Sequence, residues 1–198
     1  KNRPVRWVML AAPFTGGVTI YAFYAMQPYL LELYGNERAY GVAGLAAAIV
    51  AGAQIVGGLL VPHLGRVFRR RTSVLLAGSG LGAGALAMIG LVPGFWIAIV
   101  LLVLWGLVFA AVTPVRQAYL NGLIDSRERA TVLSFDSLLS SSGAVAAQPV
   151  LGKVADVWGY PLSYVCSAGI QTLAIPFLYL AQRERAKTDA LVESSQRA

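Results

Sequence analysis

The 198-residue sequence contains one histidine and one cysteine, and each scarcity excludes a class of protein. His63 alone cannot build a metal site from several imidazoles, and it lies in a basic loop, which excludes an intramembrane protease with a buried Ser–His pair. Cys166 cannot form an intrachain disulfide, and we interpret it as a small buried hydrophobic residue. We therefore predict no metal, no cofactor and no catalytic residue, and the chain is not expected to be an enzyme.

Charged residues are also scarce. They make up 13% of the chain, whereas 57% of the residues are hydrophobic and the mean hydropathy is +0.65. Ordinary soluble domains are roughly a quarter charged. Too few polar residues are present to cover the surface of a soluble domain of this size, so the sequence indicates an integral membrane protein in contact with the lipid bilayer.

The apolar residues fall into six long blocks, each close to the ~20 residues that cross a ~30 Å hydrocarbon layer. We predict a cytoplasmic linker end at 1–6, a tail at 181–198, and transmembrane helices at 7–33, 40–61, 73–91, 95–115, 132–155 and 162–180. The fifth block is the most polar, because serines and Asp136 crowd its first half. Its polar face must therefore meet protein or water rather than lipid.

The basic residues predict the orientation. Fourteen of the sixteen Lys and Arg residues fall on one side of the predicted spans, and only Arg38 and Lys153 fall on the other. Lys and Arg accumulate on the cytoplasmic side of membrane proteins, so both termini are predicted to be cytoplasmic, in a plasma or inner membrane. The net charge of +7 is thereby explained by membrane-flanking anchors, and no nucleic-acid partner is expected.

One apolar phrase occurs twice. Segments 53–65 (AQIVGGLLVPHLG) and 147–159 (AQPVLGKVADVWG) match at five of thirteen positions, with an offset of 94 residues. That offset equals three predicted spans, and three spans reverse the direction of the chain across the membrane. The pattern is typical of a 3+3 inverted repeat, although two helices rich in Gly, Ala and Val can also match by chance.

Two inverted triplets of spans, the chain length and a basic loop after the second span resemble one half of a major facilitator superfamily transporter. The loop motif of that family is, loosely, G-x-x-x-D-R-x-G-R-R. Gly58, Gly65 and Arg66 fit it, whereas Pro62 replaces the acid and His63 the first base. The stretch 126–160 (SRERATVLSFDSLLSSSGAVAAQPVLGKVADVWGY) is similar to the loop and eleventh helix of many members, which favours the C-terminal half.

The resemblance implies an all-α membrane protein, a six-helix bundle that pairs with another bundle around a central cavity. A small-molecule substrate binds near the midplane of such transporters, and the bundles rock to expose it alternately. The partner bundle would be the N-terminal half of the same transporter or a second copy of this chain. Export of a small organic molecule is our first hypothesis. The alternative is a six-span structural or partner-binding subunit that does not transport, acting as a homodimer.

Neutral polar and aromatic residues near the middle of the spans are the candidates for lining the cavity. Tyr21, Tyr24 and Gln27 recur every three residues, which places them near one helical face, and Pro28 is expected to interrupt the helix after them. The other candidates lie on the second, fourth and fifth spans, which the resemblance makes cavity-lining: Gln54, Trp105, Phe109 and Gln148. The alternative role for each is a helix–helix contact.

The basic loop supplies candidates for a cytoplasmic gate. The resemblance implies that glycines and basic residues of this loop hold one conformation closed. The candidates are Gly58, Gly65, Arg66, Arg69, Arg70 and Arg71, with Asp125, Glu128 and Asp136 as acidic partners. The alternative is that the basic residues only anchor the bundle at the membrane surface.

Overall fold

The computed structural model describes residues 2–36 and 38–191, and the regular elements in these ranges are helices. The prediction of an all-α protein is confirmed. The helices are α1 (Arg3–Tyr34), α2 (Tyr40–Leu59), α3 (Val61–Val67), α4 (Arg71–Leu91), α5 (Phe95–Leu123), α6 (Arg129–Trp158), α7 (Tyr160–Thr172) and α8 (Ala174–Arg183), followed by a 3₁₀ turn at Lys187–Asp189.

Within the described ranges, five helical segments are long and apolar enough to cross a membrane. They are α1, α2, α4, α5 and the α7–α8 segment, Tyr160–Arg183. α6 has 30 residues, but its serines, Asp136 and Lys153 make it too polar to be counted with these five. The six-span, 3+3 arrangement therefore remains a prediction.

Breaks within two helices differ from the prediction. α1 continues through Pro13 and Pro28 to Tyr34, so the interruption expected at Pro28 does not occur. Neighbouring helices can satisfy the backbone group that a proline frees within a membrane helix. The predicted sixth span is divided at Leu173 into α7 and α8.

The buried side chains form two clusters, one toward each end of the bundle. In the first cluster, the Tyr29 hydroxyl donates to the Ile89 carbonyl at 3.1 Å, and the Tyr164 hydroxyl donates to the Ala22 carbonyl at 3.1 Å. The second cluster surrounds Tyr119, where the beginnings of α1 and α4 meet the ends of α5 and α8. A groove lies between the two clusters and is described below.

Several helix pairs pack at backbone distance, and two of them involve the repeated phrase. α1 packs most extensively along α6, and α2 along α5. A Cβ atom at Gly143 would overlap the Pro13 carbonyl, and a Cβ atom at Gly57 would overlap the Leu107 carbonyl. Small residues allow this close approach between helices in a membrane, where van der Waals packing drives association.

The segment after α8 folds back over the beginning of α4. The buried Asp189 carboxylate accepts hydrogen bonds from the Thr72 backbone N–H at 2.9 Å and from the Thr72 hydroxyl at 2.8 Å. The Leu191 N–H donates to the Arg69 carbonyl at 3.2 Å. The carboxylate satisfies an N–H group in the first turn of α4 and is favoured there by the helix dipole.

Candidate functional site

A groove of about 320 Å³ opens between α1 and α5. Residues within 11–20 of α1 and 105–117 of α5 form its two walls, and residues of α4, α7 and α8 form its floor. The wall residues are mostly half-buried, whereas the floor residues Ser79, Gly82 and Gln171 are buried, so the mouth lies on the α1–α5 side. The volume falls in the range of ~300–1,000 Å³ that is typical of small-molecule sites.

An aromatic pair forms part of the α5 wall. Trp105 and Phe109 lie one turn apart, and their rings stack at 5.9 Å between centroids with an interplanar angle of 11°. Trp105 is buried and Phe109 is half-buried. The pair offers a flat apolar surface against which another ring can stack. Both residues were candidates from the sequence, and both line the groove.

Three threonines place hydroxyl groups on the walls of the groove. Each hydroxyl already donates to a carbonyl of its own helix: Thr15 to Ala12 at 3.3 Å, Thr19 to Thr15 at 2.8 Å and Thr113 to Phe109 at 2.9 Å. A hydroxyl oxygen that donates its proton keeps its lone pairs as acceptors. The walls can therefore accept hydrogen bonds from a ligand.

An ion pair lies at one end of the groove. The Arg116 guanidinium donates to both carboxylate oxygens of Asp136, at 2.7 and 2.6 Å, and also to the Val8 carbonyl at 3.4 Å. The contact joins α5, α6 and α1. Asp136 is 8% exposed, and a bidentate pair of this kind is among the stronger charge-assisted contacts. The positive charge that Arg116 brings to the groove is thus balanced by Asp136.

This ion pair differs from the expectation for Asp136. Its expected partners were Arg66 and Arg69–Arg71, but its partner in the structure is Arg116. The fourth span was expected to end near residue 115, which made Arg116 a membrane-flanking anchor. α5 instead continues to Leu123, so Arg116 lies within a helix and faces α6. Two features of the sequence could have indicated this pair. Arg116 follows directly after the predicted fourth span, and Asp136 lies early in the predicted fifth.

The floor of the groove contains two polar side chains that were not among the candidates from the sequence. The buried Gln171 amide donates from Nε2 to the Ser79 carbonyl at 3.1 Å. Gly82 leaves room for that amide, since a Cβ atom there would lie 2.5 Å from Nε2. The Ser79 hydroxyl is buried and has no hydrogen-bond partner among the described residues. Both residues lie on the predicted third and sixth spans, on which no cavity candidate was placed.

The three candidates on α1 lie outside the groove and do not share one environment. Tyr21 is buried, and its hydroxyl donates to Ser163 Oγ at 2.6 Å. Tyr24 is 72% exposed, and Gln27 is also exposed. A spacing of three residues falls short of a full helical turn, so the first and last members of such a series point about 120° apart. The first residue therefore enters the core while the other two face outward.

The two glutamines of the repeated phrase also lie outside the groove. Gln54 is half-buried on α2, and its Cγ would contact a Cβ atom at Gly106 of α5 at 3.6 Å. Gln148 is exposed on α6. Their surroundings therefore differ, although their positions in the phrase are equivalent.

The remaining gate candidates lie at the end of the bundle that carries the basic loop. Gly58 is exposed and has open space around it, and α3 contains Gly65 and Arg66. Within 2–36 and 38–191, no ion pair joins the basic loop to the acidic candidates. The other exposed members of this set are Arg66, Arg69, Arg70, Asp125 and Glu128.

Comparisons with known proteins place the chain in a family. The model of the Major Facilitator Superfamily matches residues 9–197. Among solved structures, the chain is similar to the POT family transporter PepTSo, determined by in meso crystallography, with a TM-score of 0.76 and 13% sequence identity. That alignment covers 92% of this chain and 38% of the transporter, so the chain spans well under half its length. No match was found among curated proteins.

The apolar helices of the described ranges and the family match together indicate an integral membrane protein with several spans. The chain belongs to the Major Facilitator Superfamily, whose model matches nearly all of it. The likeness to PepTSo supports the fold alone, because the identity is low.

Proposed function

We propose that this chain forms one half of a secondary transporter and that the groove between α1 and α5 is its part of the substrate site. The observation that carries the proposal is the groove itself: it has the size of a small-molecule site, a stacked aromatic pair on one wall and its mouth on one side of the bundle. A second bundle opposite the mouth would complete an enclosed site. Rocking of the two bundles would then expose the substrate to each side of the membrane alternately.

The polar face of α6 supports the presence of a second bundle. Ser134, Ser137 and Ser141 are exposed on this helix. If α6 crosses the membrane, polar groups at that depth require protein or water rather than lipid around them. The N-terminal half of the same transporter, or a second copy of this chain, would provide that surrounding.

Reciprocal helix packing supports the 3+3 inverted repeat. The first helix of each triplet, α1 or α5, packs along the middle helix of the other triplet, α6 or α2. A glycine makes the closest approach in both pairs. The alanines that begin the two copies of the phrase, Ala53 and Ala147, are both buried. Two triplets related by inversion would produce these matching contacts.

In this proposal both termini are cytoplasmic, and the end of the bundle with the basic loop faces the cytoplasm. The Arg116–Asp136 pair ties three helices together beside the groove, and we assign it to the inner gate together with the basic loop. The apolar and aromatic walls favour a small organic molecule as substrate, and we favour export as the direction.

Cysteine labelling tests the six-span topology at α6, its most polar helix. Ser126 lies just before this helix and Trp158 is its last residue, and both are exposed. Each is replaced by a single cysteine in a Cys166→Ser background. A membrane-impermeant maleimide is expected to label Ser126→Cys from the cytoplasm and Trp158→Cys from the opposite side. Labelling of both positions from one side excludes α6 as a span, and with it the inverted repeat.

A dye-efflux assay tests transport through the groove. Cells that express the natural full-length protein and are loaded with Nile red, a neutral aromatic dye, are expected to lose the dye faster than cells without it. Val108 lines the groove, so Val108→Trp is expected to fill the groove and reduce efflux to background. Leu81 lies exposed on the outer face of α4, and the matched change Leu81→Trp is expected to retain efflux. Equal activity of the two variants contradicts the assignment of the groove.

A further inference from the structure

The most buried polar groups of the groove lie on its floor rather than on its walls. Ser79 is 6% exposed and Gln171 is 7% exposed, and both line the groove. They lie on α4 and α7, behind the two helices that form the mouth. A molecule that enters between α1 and α5 therefore meets the half-buried walls, which include Phe109 and the three threonines, before it reaches these two polar groups.

The Ser79 hydroxyl is an unusual feature of this floor. A serine in a membrane helix commonly donates to the carbonyl one turn before it, as Ser167 does to Ser163 at 2.8 Å. The Ser79 hydroxyl is buried without any partner among the described residues. A buried hydroxyl without a hydrogen bond is costly, and each such group in a native protein calls for an explanation. One such explanation is a hydrogen-bond partner supplied by a bound ligand.

The Gln171 amide contacts the backbone of the same residue. Its Nε2 atom donates to the Ser79 carbonyl, and Gly82 provides the space that it occupies. Trp105 is adjacent, since its Cδ1 atom would lie 3.9 Å from a Cβ atom at Gly82. Trp105, the Gln171 amide and Ser79 thus lie close together at the floor of the groove.

We propose that Gln171 and Ser79 select substrates by one uncharged hydrogen-bonding group, a hydroxyl or an amide, at the end of a flat aromatic molecule. The inference rests on the proposed function, because it takes the groove as the substrate site. The ring lies against Trp105 and Phe109, the polar group reaches the Gln171 amide, and a small movement of that amide gives access to Ser79. The substrate is uncharged because Asp136 already balances Arg116.

Equilibrium binding to the purified natural full-length protein tests this selection with two probes of nearly equal size. 2-Naphthol carries the hydrogen-bonding group, and 2-methylnaphthalene replaces it with a methyl group. Gln171→Leu is expected to weaken 2-naphthol binding by about tenfold, and Ser79→Ala by about threefold, which is the range for single hydrogen bonds. Binding of 2-methylnaphthalene is expected to be unchanged. Ser79→Ala is also expected to leave the thermal midpoint unchanged or raised, because it removes a hydroxyl without a partner.

Two controls separate this inference from the proposed function. Ser167→Ala removes a buried hydroxyl from α7 outside the groove and is expected to leave the preference between the probes unchanged. Trp105→Ala is expected to weaken the binding of both probes equally. If Gln171→Leu lowers the thermal midpoint but leaves the preference intact, Gln171 is only a contact between α4 and α7, and the inference is overturned while the groove stands. If neither probe binds, or Trp105→Ala affects neither, the groove is not the site and both proposals fail.

Discussion

The two copies of the repeated phrase begin in α2 and α6, which are unlike helices. The first copy continues through Leu60 into α3, whereas the second stays within α6 as far as Trp158. α2 has 20 residues and is apolar enough to cross a membrane by composition alone, whereas α6 has 30 residues and is not. α6 also carries Asp136, which is buried in an ion pair. Both helices nevertheless pack along one main partner at backbone distance, α2 on α5 and α6 on α1.

Comparison of the two copies shows which equivalent positions of the phrase have similar surroundings. Ala53 and Ala147 are both buried, and Gly58 and Gly152 both have open space around them. The shared glutamine, in contrast, is half-buried in α2 and exposed in α6. Close packing constrains the volume of every contacting side chain, whereas the outward faces are free to diverge. The predictions below test this division.

The largest effect is expected from a methyl group placed in the helix contacts. Gly143→Ala and Gly57→Ala each direct a Cβ atom into a backbone carbonyl, which has little freedom to move. We expect each change to lower the free energy of unfolding by about 3 kcal/mol, the upper range for overpacking. The measurement is the thermal or denaturant midpoint in detergent.

The matched controls for these changes are Gly58→Ala and Gly152→Ala, the glycine pair of the repeated phrase. Both sites are open, and alanine is favoured over glycine within a helix by about 0.5–1 kcal/mol. These variants are therefore expected to be as stable as the parent or slightly more so. Equal destabilisation at all four positions would show that the helix pairs do not make the contacts described here.

A smaller effect is expected from the ion pair that α6 has and α2 lacks. Asp136→Asn leaves the Arg116 charge partly buried without a counter-charge, and we expect a loss of about 2–3 kcal/mol in the free energy of unfolding, near the lower limit for buried pairs. Asp125→Asn, at an exposed acid, serves as the control and is expected to have little effect. The double change Arg116→Met/Asp136→Leu is expected to regain most of the loss. If the double variant is no more stable than Asp136→Asn, the ion pair itself stabilises the bundle. The loss in the single variant would then not arise only from an unpaired Arg116 charge.

The smallest effect is expected from the shared glutamine. Gln54→Leu changes a half-buried side chain whose Cγ packs beside Gly106, and a loss of about 0.5 kcal/mol is expected, because a branched side chain of similar volume must repack there. Gln148→Leu changes an exposed side chain and is expected to leave the thermal midpoint unaltered. Similar losses at both positions would indicate that the two copies keep equivalent surroundings after all.

Hydropathy predicted an all-α membrane protein because backbone groups within a membrane must be satisfied internally, which leaves few alternatives to a helix. The groove was partly predictable. Trp105 and Phe109 were found because they lie one turn apart in an apolar span. Tyr21 was assigned to the cavity, but a series at intervals of three drifts around the helix, and the structure places Tyr21 within the core.

The polar contacts of the site were not predictable from one sequence. Ser79 is a single serine among glycines, and Gln171 a single glutamine near the break between α7 and α8. Their importance arises only where two helices from distant parts of the chain bring them together. Arg116 was missed for a related reason, because hydropathy ends a span where apolar residues end, whereas the helix itself continues to Leu123.

The contact of Asp189 with Thr72 has a consequence for the order of events during synthesis. The carboxylate that completes the first turn of α4 lies 117 residues later in the chain. Protein synthesis proceeds at ~5–20 residues per second, so the ribosome needs several seconds to deliver it after α4 is made. Through that interval the beginning of α4 must rely on water or lipid head groups for its N–H bonds. The bundle therefore reaches its final form only after nearly all of the chain described here has been translated.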